Sequence, residues 1–201
     1  MYAIGVTGGI GSGKSEVLNY LKERWDAYIL RLDDVSRSLL EPDGALYGEA
    51  VRLFGEEIVK EDQSLDRAQI AARIFENETE RDALDALIHP AVKRETIRLM
   101  GEQKEAGTDL FVVEAALLIE DHYDALCDEM WYIYADTDTR YRRLISSRGY
   151  TEERIQKTME KQLSEEEFRA HAGLVIDNSG DFALTKAQID RRVRELIKGR
   201  A

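Results

Sequence analysis

The residues whose types and spacing most clearly indicate chemistry are the eight from Gly8 to Ser15, Gly-Gly-Ile-Gly-Ser-Gly-Lys-Ser. They fit the pattern G-x-x-x-x-G-K-[ST], in which glycines let backbone N–H groups converge on phosphate oxygens without a Cβ in the way. Lys14 can reach the β and γ phosphates, and the Ser15 hydroxyl can ligate Mg²⁺. The pattern therefore predicts a loop that binds ATP with Mg²⁺. The residues assigned to it are Gly9, Gly11, Ser12, Gly13, Lys14, Ser15 and Glu16.

The segments on either side of this loop favour that prediction. Tyr2–Thr7 is a short apolar run that predicts a buried strand, and a helix is predicted from Gly13 to about Arg24. A loop between a strand and a helix places bound phosphates at the positive end of the helix dipole. An ordinary glycine-rich turn is the alternative, and the strand–loop–helix context weighs against it.

Acids follow two of the predicted strands. Asp33 comes after the apolar run Ala27–Leu32, and ligands of open α/β sheets bind at the carboxyl ends of the strands. Its carboxylate could accept the proton of an attacking hydroxyl, whereas Asp34 suits the N-cap of the next helix. Glu114, near the end of another strand, could support the metal through water or be a structural acid.

A basic cluster stands out in this acidic chain. Four arginines fall within nine residues: Arg140, Arg142, Arg143 and Arg148. On a helix, Arg140 and Arg143 share a face, and guanidinium groups suit triphosphate oxygens. We predict a lid that closes over phosphate, the alternative being a solvated helix that pairs with glutamates.

Two further segments carry polar residues of interest. His89 precedes Pro90, which suits the first turn of a helix that we predict to begin here, so His89 could cap that helix or contact substrate. Asn178-Ser-Gly180 follows a predicted strand and could wrap an adenine, although a bare turn would look the same. The chain has no His and Cys spacing typical of zinc and no nucleophile motif.

The remaining pattern predicts an α/β fold. Further strands are predicted at Phe111–Ala115, Met130–Ala135 and Leu174–Asp177, and helical patterns separate them, which indicates a parallel sheet of about five strands with helices on both faces. Two helical stretches interrupt the alternation. We therefore predict a core of residues 1–33, 108–139 and 172–201, an inserted helical domain of residues 34–107, and a helical segment of residues 140–171.

Composition limits the class of protein. The 201 residues carry a net charge of -12, which argues against nucleic acid and membrane as partners. Cys127 is the single cysteine, so no internal disulfide can form, as expected of a cytoplasmic protein. The first residues show no secretory signal, and the most apolar run, Phe111–Ile119, is too short to span a bilayer.

Taken together, the chain resembles the dephospho-coenzyme A kinases over nearly its full length. Besides the loop of Thr7–Ser15, several motifs carry the resemblance. They are Asp33 with Arg37, Asp62-x-x-Leu65-Asp-Arg67, Ile74-Phe75, His89-Pro-x-Val92, Leu117-Leu-x-Glu120, Arg143, Gln162 and Val175-Ile-Asp-Asn-Ser-Gly180.

The resemblance implies transfer of phosphate from ATP, with Mg²⁺, to the 3′-hydroxyl of dephospho-coenzyme A, the last step of coenzyme A synthesis. It implies a P-loop core with a substrate domain at 34–107 and a lid at 140–171. The catalytic residues it implies are Asp33, Lys14 and Arg143, and the ATP site gains Arg140, Arg148, Asn178 and Gly180. The acceptor residues it implies are Asp33, Arg37, His89, Leu117, Leu118 and Glu120. Such an enzyme is expected to be a monomer or a small homo-oligomer.

The chain departs from the family pattern at several positions. Arg31 stands where the family often has Asp, Glu16 where it has Thr, and Ala116 where it has Pro. The second lid arginine falls at Ser147, and Arg148 comes one place late, which turns a helical side chain by about 100°. Arg148 could substitute if the helix ends before Gly149.

Two other functions fit parts of the sequence. A nucleoside monophosphate kinase would have the same core and chemistry with a different acceptor. A non-catalytic nucleotide-binding regulator would need the loop alone, and it is disfavoured because Lys14, Ser15, Asp33 and Arg143 occur together.

Overall fold

The structure is a computed structural model that describes residues 1–115 and 117–198. The departure noted at Ala116 therefore lies outside the described residues, as do residues 199–201. Five strands form one sheet in the order β2-β3-β1-β4-β5, and the pairings of β1 with β3 and β4, and of β4 with β5, are parallel. The strands are β1 Tyr2–Thr7, β2 Tyr28–Arg31, β3 Leu110–Glu114, β4 Glu129–Tyr134 and β5 Leu174–Asp177.

Helices and two short 3₁₀ turns connect the strands. The helices are α1 Lys14–Trp25, α2 Leu32–Leu39, α3 Tyr47–Phe54, α4 Arg67–Glu76, α5 Glu78–Glu105, α6 Thr137–Arg148, α7 Glu152–Met159, α8 Glu165–His171 and α9 Phe182–Lys198. The 3₁₀ turns cover Glu56–Ile58 and Tyr123–Leu126. The predicted α/β class and the five-stranded sheet are confirmed.

The chain forms two compact units. One comprises Met1–Ile29 and Gln103–Ala201, and the other Leu30–Glu102. The sequence predicted an insertion at 34–107 and a lid at 140–171, whereas α6, α7 and α8 belong to the same compact unit as the sheet core.

Each unit has a core of its own. In the first unit β1, β3, β4 and β5 contribute fully buried residues that pack with α1 and α9, among them Ile4, Val6, Val112, Trp131 and Ile133. In the second unit the buried cluster comprises Ala50, Phe54, Ile58, Leu65, Ile70 and Leu84. The strands of the first core are apolar on both faces, as expected of a sheet covered by helices.

One predicted helix start is wrong. Pro90 lies inside α5, which runs without interruption over Glu78–Glu105, instead of opening a helix. Proline in a helix interior removes one backbone hydrogen bond and typically costs about 3 kcal/mol. The helix has buried positions on both sides of it, at Leu84 and at Val92, and this packing offsets the cost.

Among the described residues, no helix combines the length and the apolar character that a membrane crossing requires.

Candidate active site

The loop from Gly8 to Ser15 joins β1 to α1 at the centre of the sheet. Gly8, Gly11 and Gly13 have positive φ angles of 151°, 79° and 89°, and Gly13 is the N-cap of α1. Lys14 opens the helix and folds back along the loop, because its Nζ donates to the Gly8 carbonyl at 2.5 Å. The side chain of Ser15 is exposed one residue further on. The loop therefore presents backbone N–H groups, an ammonium group and a hydroxyl at the start of one helix.

Buried hydroxyl groups in and before the loop indicate what the loop can accept. Ser12 and Thr7 are 2% and 1% exposed, and neither side-chain oxygen has a hydrogen-bond partner within residues 1–115 and 117–198. A buried hydroxyl without a partner costs about 1–3 kcal/mol. A phosphate oxygen held in the loop could accept a hydrogen bond from Ser12. The residues present thus fit a triphosphate, with Mg²⁺ beside Ser15.

Side chains of Arg140 and Gln162 hold the backbone of Ile10 in the phosphate loop. The Ile10 N–H donates to Gln162 Oε1 at 2.9 Å, and its carbonyl accepts from Arg140 Nε at 2.8 Å. Arg140 Nη2 also donates to Gln162 Oε1 at 3.2 Å, which closes a ring of three hydrogen bonds. A Cβ at Gly9 would collide with the Arg140 guanidinium, so a larger residue there would displace this arginine from the loop. Burial lowers the pKa of Arg140 from its ordinary value.

A second set of contacts holds Ser12. Asn178 is fully buried and donates from Nδ2 to the Ser12 carbonyl at 2.8 Å, and its Oδ1 accepts from Thr185 Oγ1 at 2.9 Å. Arg143 donates from Nη2 to the Asn178 carbonyl at 2.8 Å and from Nη1 to the Ser12 carbonyl at 3.3 Å. A Cβ at Gly13 would collide with the Asn178 amide. Arg140 and Arg143 share a face of α6, as predicted, and both reach the phosphate loop.

The first turn of α6 is fixed by Asp136. Its carboxylate accepts from the Thr139 N–H at 2.8 Å and from Thr139 Oγ1 at 2.9 Å, and these bonds lower the pKa of Asp136. The Asp136 N–H donates to Ser179 Oγ at 3.0 Å, so the residues after β4 and after β5 are tied together. The orientation of the helix that carries the two arginines therefore depends on the segment that follows β5.

Other predicted residues lie further from these contacts. Glu16 is exposed in the first turn of α1, and Gly180 is exposed after β5. Glu114 ends β3 and is paired in register with Val6 of β1, next to the start of the loop. Arg148 is the last residue of α6 and is exposed, and Gly149 is the left-handed C-cap. Helix α6 therefore ends before Gly149. This is the condition under which Arg148 could replace the arginine missing at Ser147.

The segment after β3 carries three residues predicted to contact the acceptor. Leu117 is 51% exposed, and Glu120 is also exposed. Leu118 is 0% exposed and its side chain lies against Gly5 of β1. The side chains of Leu117 and Glu120 are therefore accessible to a ligand, whereas the side chain of Leu118 packs in the core.

The remaining predicted residues belong to the helical unit. Asp33 and Asp34 are exposed in the first turn of α2, whose N-cap is Arg31, so the predicted capping role of Asp34 is wrong. The helix begins three residues earlier than expected because Leu32 is helical and buried. Asp34 instead forms an exposed ion pair of 3.5 Å with Arg37. His89 lies within α5, where its Nε2 is 3.8 Å from Asp85 Oδ1.

Sequence reasoning gave no role to several residues that hold the site together. Gln162 was named only as a match to the family, Ser179 only as part of Asn178-Ser-Gly180, and Thr185 was not named. Gln162 contacts Ile10 across 152 positions of sequence, which no local pattern reports. The signal available was the match of Gln162 to the family, because its segment of residues 151–169 also holds Gln156 and composition does not single out either glutamine.

The fold and the site define a class. A phosphate loop with Lys14 and Ser15, at the end of the central strand of a parallel α/β sheet, is the site of a P-loop kinase.

Residues 2–183 match the family model described as dephospho-CoA kinase. A Corynebacterium glutamicum protein named dephospho-CoA kinase is 33% identical over 197 residues, which cover 98% of each chain. The chain belongs to the dephospho-CoA kinase family, and the resemblance drawn from its motifs is confirmed.

Solved structures agree with this assignment. TT1252 from Thermus thermophilus has a TM-score of 0.81 at 30% identity and covers 96% of both chains. A dephospho-CoA kinase from Campylobacter jejuni has a TM-score of 0.75 at 20% identity, covers 99% of this chain and 98% of its own, and shows a shared fold. The chain is accordingly a kinase of coenzyme A synthesis.

Proposed function

We propose that this chain transfers the γ-phosphoryl group of ATP to the ribose 3′-hydroxyl of dephospho-coenzyme A, giving coenzyme A and ADP in the final step of coenzyme A synthesis. The observation that carries the proposal is the clamped phosphate loop in a chain whose residues 2–183 match the family. The loop supplies the charge and the N–H groups that phosphoryl transfer needs, and the family match supplies the acceptor.

The phosphate loop binds the triphosphate of ATP. Its N–H groups and Lys14 face the β and γ oxygens, and Ser15, with Glu114 through water, holds Mg²⁺. Mg²⁺ held there would supply positive charge against the negative charge that develops during phosphoryl transfer. Asn178 and Gly180 frame the nucleotide from the segment after β5, and Glu16 flanks it in the first turn of α1.

Asp33 acts as the general base. It follows β2 by two residues and is exposed in the first turn of α2. The carboxyl ends of parallel strands form the edge at which α/β sheets bind ligands. A carboxylate there can orient the ribose hydroxyl and accept its proton as the bond to phosphorus forms.

Arg143 stabilises the charge of the transferring phosphoryl group, and Arg148 assists it from the end of α6. Arg143 already lies against the phosphate loop through the Ser12 carbonyl. A guanidinium that is held in place before the reaction has little reorganisation left to undergo in the transition state.

The acceptor residues that we propose are those that the family resemblance implies, namely Arg37, His89, Leu117 and Glu120. We regard residues 34–107 as the acceptor domain. Residues 140–171 act as the lid. We propose that the protein works in the cytoplasm as a monomer or small homo-oligomer.

A comparison of acceptors tests the proposal. The specificity constant with dephospho-coenzyme A should exceed those with AMP, UMP and CMP by about a hundredfold or more, because their missing arm removes binding energy. Faster use of a nucleoside monophosphate would show that the chain is a nucleoside monophosphate kinase. Absence of turnover with every acceptor would favour a nucleotide-binding regulator.

A further inference from the structure

A pocket in the first unit joins two residues already proposed to bind the acceptor, Leu117 and Glu120, to basic residues of α7 that have no role so far. Its volume is about 590 Å³, within the range of small-molecule sites. Helix α7 and the residues that follow it form most of its wall, and the segment after β3 completes it. We call it the α7 pocket. It is lined by Leu117, Glu120, Thr151, Glu153, Arg154, Lys157, Thr158, Lys161, Gln162, Leu163 and Phe168.

The lining of the α7 pocket is basic in a chain of net charge -12. Three cations, Arg154, Lys157 and Lys161, outnumber its two acids. Lys157 pairs with Glu153 at 2.7 Å, but both side chains are mostly exposed, so the pair is weak and a phosphate can compete for the lysine. The pocket therefore selects an anion.

The rest of the lining is apolar or carries hydroxyl groups. Leu117, Leu163 and Phe168 offer apolar surface, and Phe168 is held by stacking on Tyr132 at 4.8 Å between ring centroids. Hydroxyl groups are present as well, on Thr151 and Thr158. A ligand that fills the pocket joins an anionic group to a chain with apolar and amide parts.

The pocket borders the phosphate loop through one shared residue. Gln162 lines the pocket and accepts the Ile10 N–H of the loop at 2.9 Å. A molecule in the pocket is consequently next to the site of the triphosphate, within the same unit. This adjacency is expected of a reaction partner of ATP.

We propose that the α7 pocket binds the pantetheine-diphosphate arm of dephospho-coenzyme A, an assignment that rests on the proposed function. The diphosphate contacts Lys157 and Lys161, the gem-dimethyl portion packs on Leu117 and Phe168, and the amides face Thr158. ATP has no such arm, and its own phosphates are accounted for by the loop from Gly8 to Ser15. The pocket thereby distinguishes the acceptor from the donor.

The test is a pair of dissociation constants measured on one variant. Lys157→Ala combined with Lys161→Ala should raise the dissociation constant for dephospho-coenzyme A by about tenfold or more, because two charge-assisted contacts are lost. The constant for ATP should stay within about twofold. Lys157→Arg with Lys161→Arg should restore most of the acceptor affinity. Arg191→Ala combined with Lys198→Ala, which removes two cations exposed on α9, controls for the change in net charge.

Each other outcome overturns the assignment. Weaker ATP binding with unchanged acceptor binding would make the pocket part of the donor site. Unchanged dissociation constants for both ligands would mean that the pocket is a solvated face of the lid. Turnover of dephospho-coenzyme A by the wild-type protein is measured alongside. Absence of this turnover would contradict the proposed function itself. Normal turnover together with an unchanged dissociation constant in the double variant would contradict only the assignment of the pocket.

Discussion

Asp33 is the residue on which the proposed chemistry depends most. Asn keeps the shape of the side chain but cannot accept the proton of the ribose hydroxyl. We expect Asp33→Asn to lower turnover by about a hundredfold or more while both substrates still bind within a small factor. Asp34→Asn is the matched control, since Asp34 only forms an exposed ion pair with Arg37. If Asp34→Asn were the more damaging to turnover, the base would have to be assigned one residue later.

Lys14 is the second residue whose removal should be decisive. Lys14→Ala takes a positive charge from the β and γ oxygens, so turnover should fall by about a hundredfold or more. The fold should survive, because Lys14 is only partly buried, and circular dichroism together with thermal melting checks this. Near-normal turnover in the folded variant would exclude this loop as the triphosphate site.

At the scale of elements, helix α6 carries two arginines against the phosphate loop. Arg143→Ala removes contacts to the Ser12 and Asn178 carbonyls, whereas Arg142 donates only to Thr139 Oγ1 on its own helix at 3.1 Å. Hydrogen bonds from charged groups contribute about 1.5–3 kcal/mol each, so turnover should fall by about tenfold or more for Arg143→Ala. Steady-state kinetics should show a much smaller effect for Arg142→Ala. Equal and small effects would mean that the arginines are a solvated surface.

The segment that follows α7 should influence ATP binding through Gln162. Gln162→Ala leaves the Ile10 N–H without its partner, and one neutral hydrogen bond contributes about 0.5–1.5 kcal/mol. The KM for ATP should therefore rise by about two- to tenfold. Gln156→Ala is the control, because the exposed Gln156 side chain donates to Glu160 four residues later, away from the phosphate loop. Identical kinetics for the two variants would contradict the clamp.

The elements differed in how far the sequence could predict them. The phosphate loop, β1 and α1 follow from local signals, since glycines, an apolar run and a helix start occur together. Pro90 was misleading because packing at Leu84 and Val92 extends α5 through it. The cap of α2 was misplaced because a buried Leu32 starts that helix early. The contacts of Gln162 and Asn178 with the loop span more than 150 positions, and no periodicity reports them.

At the scale of the whole molecule, Cys127 reports whether the first unit is folded. Burial raises the pKa of Cys127 to about 12, with Asp128 and Asp124 contributing, so the thiol is protonated at pH 8. Only the thiolate is nucleophilic, and an unfolded chain with an ordinary pKa near 8.5 exposes far more of it. Native protein should react with iodoacetamide at pH 8 about a hundredfold more slowly than protein in denaturant. Equal rates would contradict the burial.

The identity of the acceptor and the position of the new phosphate test the central claim most directly. The pure protein would be incubated with ATP, Mg²⁺ and dephospho-coenzyme A, and the product would be analysed by mass and by phosphorus NMR. We predict coenzyme A and ADP in equal amounts, with the added phosphate on the ribose 3′-oxygen. ATP consumed without any change in dephospho-coenzyme A, or a phosphate at another position, would contradict the account.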